Sequence, residues 1–153
     1  LVDMIIRRFS KVGEHGLPFE VGQWAELSKT VSEADIVLFA GVTGDFNPAH
    51  MDEQWASRSM FKGRIAHGML SAGLISAVLG TRLPGPGTIY LSQELRFLAP
   101  VRIGDTITAR VEIVEILEAR NRVRLDTKVR NQDGKIVVDG TAWVMIPKAH
   151  LEK

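Results

Sequence analysis

His67-Gly68-Met69-Leu70-Ser71-Ala72-Gly73-Leu74-Ile75-Ser76-Ala77-Val78-Leu79-Gly80 contains no carboxylate, lysine or arginine. An uncharged stretch of helical length has to be kept from water on nearly every face. It therefore predicts a helix buried in the middle of a fold. Its glycines, alanines and serines let neighbouring elements come close to the helix axis. Leu83-Pro84-Gly85-Pro86-Gly87 stops it abruptly. The whole uncharged run, residues 65–81, includes His67 and several small polar residues, and it falls short of a membrane span.

Beyond this helix the period changes to two. Ile107, Ala109, Val111 and Ile113 alternate with Thr106, Thr108, Arg110 and Glu112, and Val123, Leu125, Thr127 and Val129 alternate with charged neighbours. Such segments are strands with one wet face. Asn131-Gln132-Asp133-Gly134 reads as a hairpin turn into a strand over 135–146, and 88–98 supplies another. Upstream, a short strand is expected over 23–31. Ser32-Glu33-Ala34-Asp35 then opens a helix through residues 36–42 with a serine cap and early acids. A second short helix is expected over 52–59. One long buried helix against one curved antiparallel sheet is an α+β, hot-dog-like architecture. The last strands are long enough to invite pairing across an open edge, so a homodimer or a dimer of dimers is expected.

Composition narrows the function. At 153 residues, 45% apolar and 24% charged, the chain is expected to form one globular domain with a genuine core. The near-neutral balance, 19 basic against 18 acidic residues, argues against nucleic acid or a membrane surface as partner. The absence of cysteine removes disulfides, thiolate metal sites and a thiol nucleophile, and fits the cytoplasm. Residues 1–8 are too short and soon too polar for a secretory core, so no secretory signal is expected there.

The chemistry concentrates in Gly44-Asp45-Phe46-Asn47-Pro48-Ala49-His50. Two readings are open. In one, Asp45 and Asn47 are turn residues, Pro48 fixes the bend, and His50 is a cap or a surface group. In the other, Asp45 and His50 meet one water across the bend, which are the parts needed for general acid–base chemistry. The second reading gains from the N–H groups of Gly68 and Met69 at the start of the uncharged helix, which form a donor site for an oxyanion. Water activation with carbonyl polarisation points to an acyl compound as substrate.

The run Thr43-Gly44-Asp45-Phe46-Asn47-Pro48-Ala49-His50 resembles the hydratase motif of the MaoC-like family, the (R)-specific enoyl-CoA hydratases. The resemblance continues through Ile65-Ala66-His67-Gly68-Met69-Leu70, through Tyr90-Leu91-Ser92-Gln93-Glu94-Leu95-Arg96-Phe97, and through Pro100-Val101 and Gly104-Asp105. It covers roughly 20–147, which leaves residues 1–19 as an extension and 20–153 as a single hot-dog domain. It implies Asp45 and His50 as the catalytic pair, Asn47 as a shaper of the loop, and the Gly68 amide as donor to the thioester oxygen. Ser76 falls where the family has a serine supporting loop and substrate. The implied reaction is reversible addition of water to trans-2-enoyl-CoA, giving (R)-3-hydroxyacyl-CoA. No metal or redox cofactor enters, and coenzyme A is part of the substrate.

Other positions carry weaker expectations. Trp55 and Phe61 follow the loop and are candidates for the acyl-pocket wall. Arg58, Lys62 and Arg64 are candidates for the coenzyme A phosphates, against a plain solvated basic patch. His67 is expected to be a satisfied structural histidine, and His15 and His150 to lie at the surface. Gln93 is expected either to line the site or to be a buried amide bonded to the backbone. Three rival functions use the same fold. One is dehydration of a (3R)-hydroxyacyl thioester on acyl carrier protein, which needs the same groups. A thioesterase would favour a carboxylate on the central helix, which has none. A binding module would not need both Asp45 and His50.

Overall fold

The computed structural model describes residues 17–148. They form β1 (Trp24–Thr30), α1 (Glu33–Thr43), α2 (Pro48–Met51), α3 (Glu53–Ser57) and α4 (Gly68–Thr81). Then come β2 (Ile89–Phe97), β3 (Thr106–Leu117), a 3-10 turn (Glu118–Arg120), β4 (Arg122–Arg130) and β5 (Ile136–Met145). The five strands make one antiparallel sheet in the order β1-β3-β4-β5-β2. Register shifts within β2, β3 and β4 bend it. The central helix α4 packs across one face, chiefly on β3. This is the α+β hot-dog architecture expected from the sequence.

The alternation in β3 and β4 places its apolar members inward. Ile107, Ala109, Val111, Ile113, Val123, Leu125 and Val129 are all fully buried and share one core with Ile75, Val78 and Leu79 of α4. Ser32 caps α1 as its sequence suggested. Its hydroxyl accepts the Asp35 N–H at 3.2 Å, and the Asp35 carboxylate accepts the Ser32 N–H at 2.9 Å. The packed unit begins earlier than residue 20, because Leu17 and Phe19 belong to the main core.

Two expectations need correction. The helix α4 is not buried all round. Leu74, Ile75, Val78 and Leu79 face the sheet, while Met69, Gly73, Ser76 and Gly80 form an exposed stripe. A single sheet covers only one side of a helix, and small uncharged residues on the other side leave a surface without the usual charged groups. The last strands are not the open edges either. Strand β5 lies between β4 and β2, so among the described residues the free edges belong to β1 and β2. Gln93 is bonded to the backbone as in the second of its two expected roles, though only partly buried, donating to the Glu94 carbonyl at 2.7 Å and to Thr127 Oγ1 at 2.9 Å. His15 and His150 lie outside the described residues.

Candidate active site

The loop after α1 is built by its own short polar side chains. Gly44, at φ 78°, closes the helix in the left-handed conformation that glycine adopts without strain, and its N–H reaches the Ala40 carbonyl at 2.8 Å. Thr43 Oγ1 donates to the Phe39 carbonyl at 2.7 Å and accepts the Asp45 N–H at 3.2 Å. Asp45 Oδ1 accepts the Asn47 N–H at 3.2 Å, and Asn47 Oδ1 accepts the Ala49 N–H at 3.0 Å, capping α2 with Pro48 in its first turn. The turn reading of the sequence thus holds for Asp45, Asn47 and Pro48 but not for His50, which is nearly buried and caps nothing. Only Oδ1 of Asp45 serves the turn. Its other oxygen meets no protein donor among the described residues.

His50 is held at both ends of its residue. Its ring is nearly buried, and Nδ1 lies 2.8 Å from the Ile65 carbonyl oxygen. A carbonyl can only accept, so Nδ1 carries the proton, and in the neutral ring Nε2 keeps the lone pair. The main-chain oxygen of His50 accepts from Arg64 Nε at 2.5 Å. Behind it sits His67, only 2% exposed, whose ring lies 4.0 Å from that of His50 and 4.7 Å from Phe39, centroid to centroid. His67 Nε2 donates to the Asp45 carbonyl at 2.9 Å. One buried imidazole therefore anchors the main chain of Asp45 and supports the ring of His50. The expected structural histidine is only half satisfied, because its Nδ1 has no partner among the described residues.

These tethers bring a carboxylate oxygen of Asp45 and one nitrogen each of His50 and His67 within 4.8 Å of one another. Among the described residues this is the group of side chains able to hold a metal ion. Equally, it is a carboxylate and an imidazole close enough to share one water.

His50 opens onto a cavity of about 480 Å³. Its walls are mostly apolar, with Phe61, Ile65, Met69, Phe97, Leu98 and Val138 among them, and His50, Gly68 and Ser71 are the other residues that matter chemically. Gly68 begins α4, where backbone N–H groups lack intrahelical acceptors. The Leu70 N–H turns back to the His67 carbonyl at 3.0 Å, whereas those of Gly68 and Met69 meet no acceptor among the described residues. The site also requires glycine here. A Cβ on residue 68 would stand 2.6 Å from the Phe97 ring.

Of the residues singled out from sequence, His50, Gly68 and Phe61 line the cavity, and Asp45 stands beside His50 on the solvent side. Asn47 shapes the loop through its cap. Trp55 is half exposed and takes no part in the wall. Ser76 lies on the open stripe of α4, away from the cavity. Arg58 and Lys62 are exposed. Arg64 is not a free cation, since its Nη1 and Nη2 bond Glu33 at 2.9 Å each while Nε is on His50. The sequence reading missed Phe97 and Ser71. Ser71 lies three positions after Gly68, on the same helix face, and its buried hydroxyl has no partner among the described residues. That spacing was a usable signal.

Comparison with known proteins agrees with the geometry. Residues 18–135 match the family described as MaoC like domain. The chain is 52% identical over 145 residues to the (R)-specific enoyl-CoA hydratase of Rhodospirillum rubrum, covering 95% of each chain. It is 53% identical over 129 residues to the 3-hydroxybutyryl-CoA dehydratase of Methylorubrum extorquens, covering 84% of this chain and 82% of that one. Among solved structures, the unliganded R-hydratase PhaJ1 from Pseudomonas aeruginosa superposes with a TM-score of 0.80 at 55% identity, covering 85% of this chain and 83% of that one. A buried imidazole pinning an Asp–His pair at the foot of the central helix is thus set in a chain that belongs to the MaoC-like domain family.

Proposed function

We propose that this chain is a hydro-lyase that adds water reversibly to trans-2-enoyl-CoA, giving (R)-3-hydroxyacyl-CoA. The observation that carries the reading is the Asp45 carboxylate within 4.8 Å of a His50 ring nitrogen, with His50 opening onto an apolar cavity bordered by the Gly68 amide. The two relatives named as hydratase and dehydratase describe one equilibrium from its two sides.

In this mechanism water sits between Asp45 and His50 Nε2. Asp45 takes a proton as the water oxygen bonds to C3. The C2–C3 π electrons move into the thioester, and the Gly68 N–H receives the charge on its oxygen. The enolate then collapses and C2 takes a proton from the Asp45–His50 pair on the same face. The reaction uses proton carriers alone, with no metal or redox cofactor.

Phe61 forms part of the acyl wall, and Arg58 and Lys62 are exposed close behind it to meet the coenzyme A phosphates. A second copy of the chain covers the uncharged stripe of Met69, Gly73, Ser76 and Gly80 together with the β2 edge, forming a homodimer that brings Ser76 into a protein environment. No helix among the described residues is long and apolar enough to cross a membrane. The cysteine-free composition suits the cytoplasm.

Crotonyl-CoA tests the assignment. Purified protein should abolish the ultraviolet absorbance of the conjugated enoyl group and yield the (R)-3-hydroxy thioester by chiral analysis. Release of free thiol with the enoyl group intact would assign hydrolysis instead. Turnover confined to the carrier-protein thioester would assign the dehydratase reading.

A further inference from the structure

Arg64 and Glu33 lie 31 positions apart and form a fork-to-fork pair, with Nη1 and Nη2 each 2.9 Å from a carboxylate oxygen. The third contact of the same guanidinium is Nε to the His50 main-chain oxygen at 2.5 Å. The next residue in the chain, Ile65, accepts the His50 Nδ1 proton at 2.8 Å and donates its own N–H to the Ala49 carbonyl at 3.1 Å. Two consecutive residues therefore grip both the main chain and the ring of His50.

From this arrangement, and resting on the hydratase reading above, we infer that Arg64 is a positioning residue for His50 rather than a coenzyme A ligand, and that Glu33 holds it there. The Arg64 side chain is only 15% exposed, against 55% for Glu33, so its charge is turned inward and already matched. A phosphate approaching the guanidinium would first meet the Glu33 carboxylate. A planar fork with three donors committed fixes direction as well as distance, which a lysine cannot reproduce. The main chain of Asp45 is held by His67 and not by Arg64. Loosening Arg64 thus moves one member of the catalytic pair against the other, and small misplacements of that kind lower turnover without touching substrate affinity.

The experiment measures Arg64→Met, Arg64→Lys and Glu33→Gln on two substrates, crotonyl-CoA and the crotonyl thioester of N-acetylcysteamine, which carries no phosphate. Arg64→Met should lower kcat about tenfold on both thioesters, with the KM for crotonyl-CoA within about twofold of wild type. Arg64→Lys should recover only part of that loss, and Glu33→Gln should shift kcat in the same direction by a smaller factor. A rise in KM for crotonyl-CoA alone in Arg64→Met, or a fall in that KM in Glu33→Gln, would make Arg64 a phosphate ligand and overturn the inference. Unchanged kinetics in both variants would also overturn it.

A readout independent of turnover is the His50 Nδ1 proton resonance, assigned in wild type by its loss in His50→Gln. It should broaden or move in Arg64→Met and Glu33→Gln. An unchanged resonance in both rejects the inference whatever the activity. A wild type inactive on every enoyl thioester rejects the hydratase reading and leaves this readout to judge Arg64 separately.

Discussion

His50 Nδ1 lies 2.8 Å from the main-chain oxygen of Ile65, and this single contact decides which end of the ring does chemistry. With the proton fixed on Nδ1, the lone pair is left at Nε2, the end free of that contact. Asparagine places an amide nitrogen near the Nδ1 position and nothing at the Nε2 position. His50→Asn should therefore fold with little change in melting temperature while kcat on crotonyl-CoA falls by roughly 10²–10⁴-fold, the range for loss of a positioned acid–base group. Retention of most of the turnover in a well-folded variant would show that Nε2 is not needed.

Gly68 and Phe97 make a second specific prediction. A Cβ at residue 68 would lie 2.6 Å from two ring carbons of Phe97, so the clash falls on a side chain that is 54% exposed and not on backbone. Gly68→Ala should thus keep its fold but displace the ring and the substrate carbonyl from the amide, lowering kcat on crotonyl-CoA about tenfold or more. Adding Phe97→Ala to Gly68→Ala should recover part of that loss by removing the clash. Failure of the double variant to exceed the single one would mean that Cβ blocks the substrate itself.

Asp35 predicts a pH dependence away from the site. Burial raises its pKa, but the Ser32 main-chain N–H, the Lys29 ammonium at 3.1 Å and the Ser32 hydroxyl together hold it below the ordinary 3.8. A carboxyl lowered in the folded state stabilises fully above its unfolded pKa, and that contribution is lost as pH falls through the folded value. Asp35→Asn should therefore be less stable than wild type at pH 7, by about 1 kcal/mol as expected for a disturbed cap. The gap should close in acid. Urea unfolding at neutral pH and at successive acidic values measures it, and a gap independent of pH would contradict the account.

Much of this was readable in the chain because the relevant physics is local. Alternation fixed the inward faces of β3 and β4, the Ser32–Asp35 spacing marked the start of α1, and the glycine and short polar side chains of the Asp45 loop announced its turns. The motif around Asp45, His50 and Gly68 carried the reaction class through its resemblance to a known family. What the chain did not reveal depends on contacts between distant positions. Arg64 reads as a loose surface cation until Glu33 is placed against it. Phe97 reads as one more strand residue until its ring is found on Gly68. The uncharged character of α4 was read as burial within one chain, whereas one sheet covers only half of the helix. Trp55 was singled out by nearness in sequence, yet the turn that follows α3 brings Phe61 to the cavity and leaves Trp55 outside.

Activation of water by the Asp45 carboxylate is read out by the variant Asp45→Asn. The amide oxygen can still accept the Asn47 N–H that the carboxylate accepts at 3.2 Å, so the loop should stand. The measurement is the rate of loss of enoyl absorbance from crotonyl-CoA at saturating substrate, beside a thermal unfolding curve for each protein. An unchanged fold and a kcat lowered by roughly 10²–10⁴-fold are expected. A folded Asp45→Asn protein that hydrates crotonyl-CoA within about tenfold of wild type would contradict activation by Asp45, because a water that reacts without the carboxylate is activated elsewhere.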